Sequence, residues 1–318
     1  MHRSLSKSLL IVAAGLLLLA FGASTLFAGG TTEKKGYTIG LSMHFMRDDY
    51  ALNCVEAVKA VAAKYPGSNV VATDANANPP KQLADMENLI AQGVDAIIVV
   101  PFDEKAILPA IETANQKKIP VIAITYIPNA KVATTVAASG DFENGKATGK
   151  LLVDRLGGRG KLAVIDLGFS LWRIDQRIEG FMEAIKGTGV QIVARQSGAD
   201  QADIQNKVSS ILTANPDLDA IWATFSNQIV AASDALRSAN RQDVLLSGID
   251  ADKAIIERIK EGWITGTAAQ FPKEHGRLAA EAAFAVLLGK KVAEKYDVPV
   301  GIVTAENADE MNAKIWGN

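Results

Sequence analysis

The side chains able to do chemistry in this chain stand in small groups behind apolar runs. His44, Asp48 and Tyr50 follow "IGLSM", and Tyr126 ends "PVIAITY". Trp172, Arg173 and Asp175 lie in "GFSLWRIDQ", directly behind "KLAVIDL". Phe225, Ser226 and Asn227 follow "AIWAT", Asp250 closes "LLSGID", and Gln270 closes "GTAAQ". Aromatics, carboxylates and amides together suit a small polyhydroxy molecule. Flat rings cover its C–H faces and displace water, while carboxylates and amides meet its hydroxyls. Taken singly, each residue also has a plainer use: Asp48 and Asp175 stand where a helix needs a cap.

Other chemistry finds weaker support. "GDFENGKAT", residues 140–148, has the glycine and lysine spacing that begins a phosphate-binding loop. Such a loop needs Ser or Thr after its lysine, and Ala147 stands there. Asp141 and Glu143 also bring negative charge to the place phosphates would occupy. Phe142, Gly145, Gly149, Leu152 and Leu156 are instead spaced as one buried helix face, with Asp141 at its start as a cap. Of three histidines, only His44 stands at a strand end, and His44 with Asp48 gives too few ligands for a closed metal site. There is no GxSxG elbow and no nucleophile with an oriented base, so neither an enzyme nor a cofactor is expected. Cys54 is the only cysteine and reads as a small apolar helix residue.

The elements behind these groups alternate. Strand candidates are "YTIGLSM", "NVVATDA", "AIIVVPF" and "PVIAITY", then "KLAVIDL", "QIVARQS", "AIWATF", "VLLSGID" and "ITGTAAQ". Their nearly continuous apolar runs are those of strands covered on both faces. Helical periodicity separates them: Leu52, Val55, Val58 and Ala62 share a face, as do Ile107, Ile111 and Ala114, Ile204, Val208 and Ile211, and Leu278, Ala282 and Ala285. Strand–helix alternation predicts α/β architecture with doubly wound parallel sheets, and the one interruption, at "TTVAASGDFENGKATGK", predicts two lobes. Such sheets bind ligands at the carboxyl ends of their strands, where the groups above stand.

The N-terminus carries Arg3 and Lys7, an apolar run from Leu9 to Phe21, and then small residues. This is the layout of a cleaved signal peptide over residues 1–28, so the expected location is the periplasm. No cysteine marks a lipoprotein. The formal charge of −2 becomes more acidic without Arg3 and Lys7, which argues against a nucleic-acid partner.

"DANANPPKQLADMENLIAQGVDAIIVVP", "ANQKKIPVIAI", "QRIEGFMEAI", "ILTANPDLDAIWA", "LLSGID" and "GTAAQFP" resemble the ribose-binding-like periplasmic receptors of bacterial ABC importers, in order and over nearly the whole mature chain. The resemblance implies a type I periplasmic binding protein with a three-segment hinge. The lobes are then 36–139 plus 271–292, and 140–270 plus 293–318, with Ser139, Gly140 and Asp141 at one crossing. It implies a monomer that closes over its ligand and docks on a membrane permease, whose ATPase subunit hydrolyses the ATP. Asp250 and Gln270 match ligand-binding positions of the family. Other positions depart: Val100 replaces an asparagine, Thr125 and Tyr126 an Asp-Arg pair, Asp175 an arginine and Phe225 an asparagine.

The pocket is therefore expected to lose two arginines and to gain carboxylate and aromatic character at Asp48, Asp175, Tyr126 and Trp172. A neutral or amine-bearing polyhydroxy ligand follows, since buried unpaired like charges are costly. The residues expected to touch it are His44, Asp48, Tyr50, Tyr126, Trp172, Asp175, Phe225, Asp250 and Gln270. Three other functions share the frame. A receptor for a furanosyl signal of the autoinducer-2 type would use Asp175 and Gln176. A secreted enzyme lacks its machinery here, and a transcriptional regulator lacks a helix-turn-helix segment.

Overall fold

The computed structural model describes residues 36–136 and 140–317. The signal segment and Ser139 lie outside the described residues.

Two sheets carry the fold. The first contains β1 (Thr38–Met43), β2 (Asn69–Asp74), β3 (Ala96–Val99), β4 (Val121–Ile124), β5 (Thr134–Val136) and β11 (Lys295–Tyr296), in the order β11-β5-β4-β3-β1-β2. All its pairings are parallel. The second contains β6 (Arg159–Asp166), β7 (Gly189–Ser197), β8 (Ala220–Ala223), β9 (Leu245–Ile249), β10 (Gly266–Ala269) and β12 (Gly301–Val303), in the order β12-β10-β9-β8-β6-β7. Here only β12 runs antiparallel. All nine strands expected from apolar runs are present. β5, β11 and β12 are too short for an apolar pattern and exist because a neighbouring strand pairs with them.

The first sheet is flanked by α1 (Asp49–Ala62), α2 (Pro79–Ala91), α3 (Leu108–Gln116) and α9 (Pro272–Leu287). The second is flanked by α4 (Gly140–Arg155), α5 (Trp172–Ile185), α6 (Gln201–Ala214), α7 (Ser226–Ser238), α8 (Lys253–Lys260) and α10 (Ala308–Trp316). Helix starts obey local chemistry. Asp48 accepts from Ala51 N–H at the head of α1, and Asn78 from Lys81 N–H at the head of α2, with Pro79 behind it. Buried faces follow the helical period, with one correction: Leu52 is half exposed, because the face of α1 that meets the sheet runs through Ala51, Cys54, Val55, Val58 and Val61.

Three crossings join the lobes: β5 to α4, β10 to α9, and β11 to β12. The last comes later than the expected 292/293 boundary, since Lys295 and Tyr296 pair with Thr135 and Val136 in the first sheet. "GDFENGKAT" is helical throughout, as the first turns of α4. Glycine lets α4 and α5 touch: a Cβ on Gly145 would stand 1.9 Å from the Arg177 carbonyl oxygen. Below this contact Phe181 stacks on Trp222 at 4.3 Å, and Trp222 Nε1 donates to Thr148 Oγ1 at 2.9 Å. Cys54 is fully buried and its thiol is pushed up to about 12, as its apolar role requires.

Candidate ligand-binding cleft

The strand ends of the two sheets face a common cavity of about 640 Å³. That lies within the range of roughly 300–1,000 Å³ usual for small-molecule sites. His44, Asp48, Tyr50, Phe225, Asp250 and Gln270 line it, as does the hinge pair Gly140 and Asp141.

Asp250 is the most constrained of them. Its backbone is held at φ +98°, a positive value that costs a residue other than glycine energy. The β9–β10 ladder fixes that conformation, since Asp250 N–H donates to Ala268 O at 2.8 Å. The carboxylate accepts from Gln270 Nε2 at 2.6 Å and from Ser226 N–H, at the start of α7, at 3.0 Å. Both strand-end residues matched to the family thus form one hydrogen-bonded unit. Burial raises the Asp250 carboxyl, opposed by Arg177. Asp252, which accepts from Ser226 Oγ, is raised to about 7, by burial first and by Asp250 second. Asp48 is raised to about 6, by burial above all, and the Asp250 charge adds to this from the opposite lobe.

Three arginines, Arg47, Arg173 and Arg177, also line the cleft, so the loss of arginine at the Tyr126 and Asp175 positions does not leave the pocket without guanidinium groups. Arg177 Nε donates to Asp141 Oδ1 at 2.8 Å, and its Nη1 donates to Thr224 O at 2.9 Å. Thr125, at φ +78°, reaches from the first lobe and donates to Asp141 Oδ2 at 3.0 Å. Asp141 therefore ties the end of β4 to α5 rather than capping its own helix. Arg173, one turn before Arg177, donates to Phe102 O in the first lobe. Burial holds His44 neutral, at about 3, and His275 at about 4. Tyr50 Oη lies 3.0 Å from His275 Nδ1.

Tyr126, Trp172 and Asp175 do not line the cavity. The reason for Asp175 is rotation about α5. Arg173 and Arg177 are four apart and share the cleft-facing side, whereas Asp175 is two residues from each and faces away. Its carboxylate accepts from Ser170 Oγ instead. Gln176 bonds to Glu179 at 2.7 Å, so the pair that suggested a furanosyl signal leaves the cleft. Tyr126 and Trp172 meet each other across the mouth, with ring centroids 5.7 Å apart. Sequence reasoning missed Arg177, Asp141 and Asp252 as cleft residues. The i, i+4 spacing of Arg173 and Arg177 was the signal available for the first. Among the described residues no group of three or more His, Cys, Asp or Glu is placed to hold a metal ion.

The comparisons agree with this geometry. A model of the family described as periplasmic binding protein domain matches residues 39–291. The ribose import binding protein RbsB of Bacillus subtilis (strain 168) is 32% identical over 275 residues, covering 86% of this chain and 88% of its own. An ABC transporter solute-binding protein from Bacillus halodurans C-125, solved with bound myo-inositol, has a TM-score of 0.82 at 27% identity and covers 89% of this chain and 99% of that one. One from Actinobacillus succinogenes 130z, with bound D-allose, has a TM-score of 0.79 at 27% identity, covering 86% and 99%. The chain belongs to the periplasmic binding protein family, as a ribose-binding-like member with the type I two-lobe fold.

Proposed function

We propose that the protein is an extracytoplasmic receptor that captures a small sugar or polyol between its lobes and delivers it to an ABC import permease. The observation that carries this reading is the Asp250–Gln270–Ser226 unit. A strained backbone, a paired amide and a helix start hold one carboxylate at the floor of a cavity lined from both lobes. Such a preset acceptor suits a ligand hydroxyl, and Phe225 supplies a flat wall beside it. A solute that touches both lobes stabilises their closed arrangement, because its contacts are complete only there.

The ligand is neutral or carries an amine. Asp141 already engages Arg177 and Arg173 engages first-lobe groups, so neither of these guanidiniums is left to neutralise an acidic solute, while the third, Arg47, is exposed over the Phe45 ring at the cleft's edge. Asp48, Asp250 and Asp252 line the same cavity and offer acceptors to hydroxyls or an amine. The lobes we assign are 36–136 with 272–296, and 140–269 with 301–317. The receptor acts as a monomer on the outer side of the membrane, without catalysis, and the permease's ATPase subunit drives import.

A thermal-shift panel of ribose, D-allose, myo-inositol, xylitol, glucosamine and glucuronate tests the reading. A bound solute at about 100 times its dissociation constant adds roughly 2.7 kcal/mol. A neutral or amine-bearing member is expected to raise the melting temperature, and Asp250→Ala to abolish that rise. Tight binding of glucuronate would overturn the ligand class. Turnover of a panel member with no stabilisation by any of them would overturn the receptor reading.

A further inference from the structure

The β3–α3 loop of the first lobe and the first turn of α5 in the second meet at the cleft mouth. Leu171, at the N-cap of α5, offers no side-chain cap. The first N–H groups of a helix need acceptors and carry partial positive charge. The buried Glu104 carboxylate of the other lobe approaches that turn, 3.4 Å from Arg173 Nη1. Arg173, from that same first turn, reaches back. Its Nη1 donates to Phe102 O, lies 3.4 Å from Pro101 O, and lies 3.4 Å from Glu104 Oε1. The guanidinium also lies over the Phe102 ring, 5.5 Å from its centroid. Glu104 is 2% exposed and Arg173 17%, so the pair is shielded from water.

The receiving loop is itself braced. Gln82, fully buried on α2, donates to Val100 O at 2.9 Å and accepts from Phe102 N–H at 2.8 Å. The carbonyls that Arg173 meets are therefore fixed before the lobes approach. Preorganised acceptors lose little entropy on docking, and charge-assisted bonds in a water-poor site are strong.

We propose that Glu104 and Arg173 form an inter-lobe latch, in which Arg173 grips the braced Pro101–Phe102 backbone and pairs with the buried Glu104 carboxylate. Arg173 is a positioning residue, because it acts on the lobes and not on the solute. The latch consists of protein groups alone, so it biases the lobes toward one another whether or not a solute is present. A solute's apparent affinity scales with the fraction of receptor in the arrangement that binds it, so the latch also raises affinity for any solute the cleft accepts.

Small-angle X-ray scattering of the full mature chain without added solute tests this. Arg173→Ala is expected to shift the profile to a larger radius of gyration, and Glu104→Ala to shift it the same way. Arg173→Lys, which keeps a charge but not the planar fork, should restore part of the compaction. Arg155→Ala serves as control, since it breaks only an exposed pair with Glu306 inside the second lobe. Circular dichroism confirms folding, and if Arg173→Ala fails to fold, Glu104→Ala decides. A variant profile that superimposes on the parent's, or an equal expansion in Arg155→Ala, would overturn the latch.

Discussion

Replacing Gly145 or Gly180 with alanine tests the helix contact that brings Asp141 and Arg177 together. A Cβ on Gly145 would lie 1.9 Å from the Arg177 carbonyl oxygen, and one on Gly180 2.0 Å from the Phe142 carbonyl oxygen. Real Cβ atoms essentially never approach closer than 3.0 Å. The helices α4 and α5 must therefore separate by about 1 Å, the difference between these distances. The obstacles are backbone atoms, which cannot swing aside as a side chain would. Overpacking typically costs about 1–3 kcal/mol, and this geometry points to the upper part of that range. Against it stands a helix-propensity gain of up to about 1 kcal/mol for Gly→Ala. The net expectation is a loss of about 1–2 kcal/mol. For a protein of this size that is a fall in melting temperature of roughly 2–3 °C. Gly149→Ala gives an internal scale. Its Cβ would meet the Ala184 Cβ at 2.7 Å, the Phe181 ring at 3.1 Å and the Phe181 carbonyl oxygen at 3.2 Å, so the helices need separate far less and the loss should be smaller. Thermal unfolding followed by circular dichroism reads all three. Unchanged or raised melting temperatures for Gly145→Ala and Gly180→Ala are what helix propensity alone gives, and they would refute the close-packing argument.

Three further outcomes follow from the cleft. Arg177→Met leaves the Asp141 carboxylate buried without its cation and should cost about 3–5 kcal/mol in urea unfolding; a loss below 1 kcal/mol would show that the pair is solvated. Asp252, held near 7 against an unfolded value of about 4, binds a proton in the folded state that the unfolded chain releases, so its contribution to stability is lost as pH rises from about 4 to 7. Because buried His44 and His275 act with the opposite sign, the comparison is Asp252→Asn against the parent: the variant's advantage in melting temperature should grow across that window and stay level above it. Asp175→Asn should leave the affinity for any panel solute within about twofold, whereas loss of a hydrogen bond to a buried charge, as in Asp250→Asn, should weaken it about tenfold or more; calorimetric titration separates the two.

The fold was largely legible in the sequence. The strands expected from "IGLSM", "AIIVV" and "KLAVIDL" lie where their apolar runs fall, because a strand covered on both faces must be apolar at successive positions. Asp48 reads as a helix start for an equally local reason, whereas Asp175, the other cap candidate, lies inside its helix, whose N-cap is Leu171. The strand-end rule found His44, Tyr50, Phe225, Asp250 and Gln270 without knowledge of any contact, since a parallel sheet delivers the residue after each strand to the same edge. Pattern failed where a choice depended on orientation or on a distant partner. β5, β11 and β12 hold two or three residues each and are defined only by the strand beside them. Leu52 fits the helical period but lies past the edge of the buried face.

The sequence by itself determined the two α/β lobes, the edge at which their functional groups collect, and the family motifs "LLSGID" and "GTAAQFP". Tertiary structure alone decided which side of α5 meets the cleft, and so placed Arg173 and Arg177 there while turning Asp175 away. It also made Asp141 a tie between Thr125 and Arg177, and placed Glu104 beside Arg173 in the first turn of a helix in the other lobe. The division has one physical cause. Periodicity, capping and strand burial are set by neighbours a few residues away, whereas the cleft is built from groups far apart in the chain, such as Tyr50 and His275, 225 residues apart, and Arg173 and Pro101, 72 apart, whose meeting depends on how helices and lobes pack.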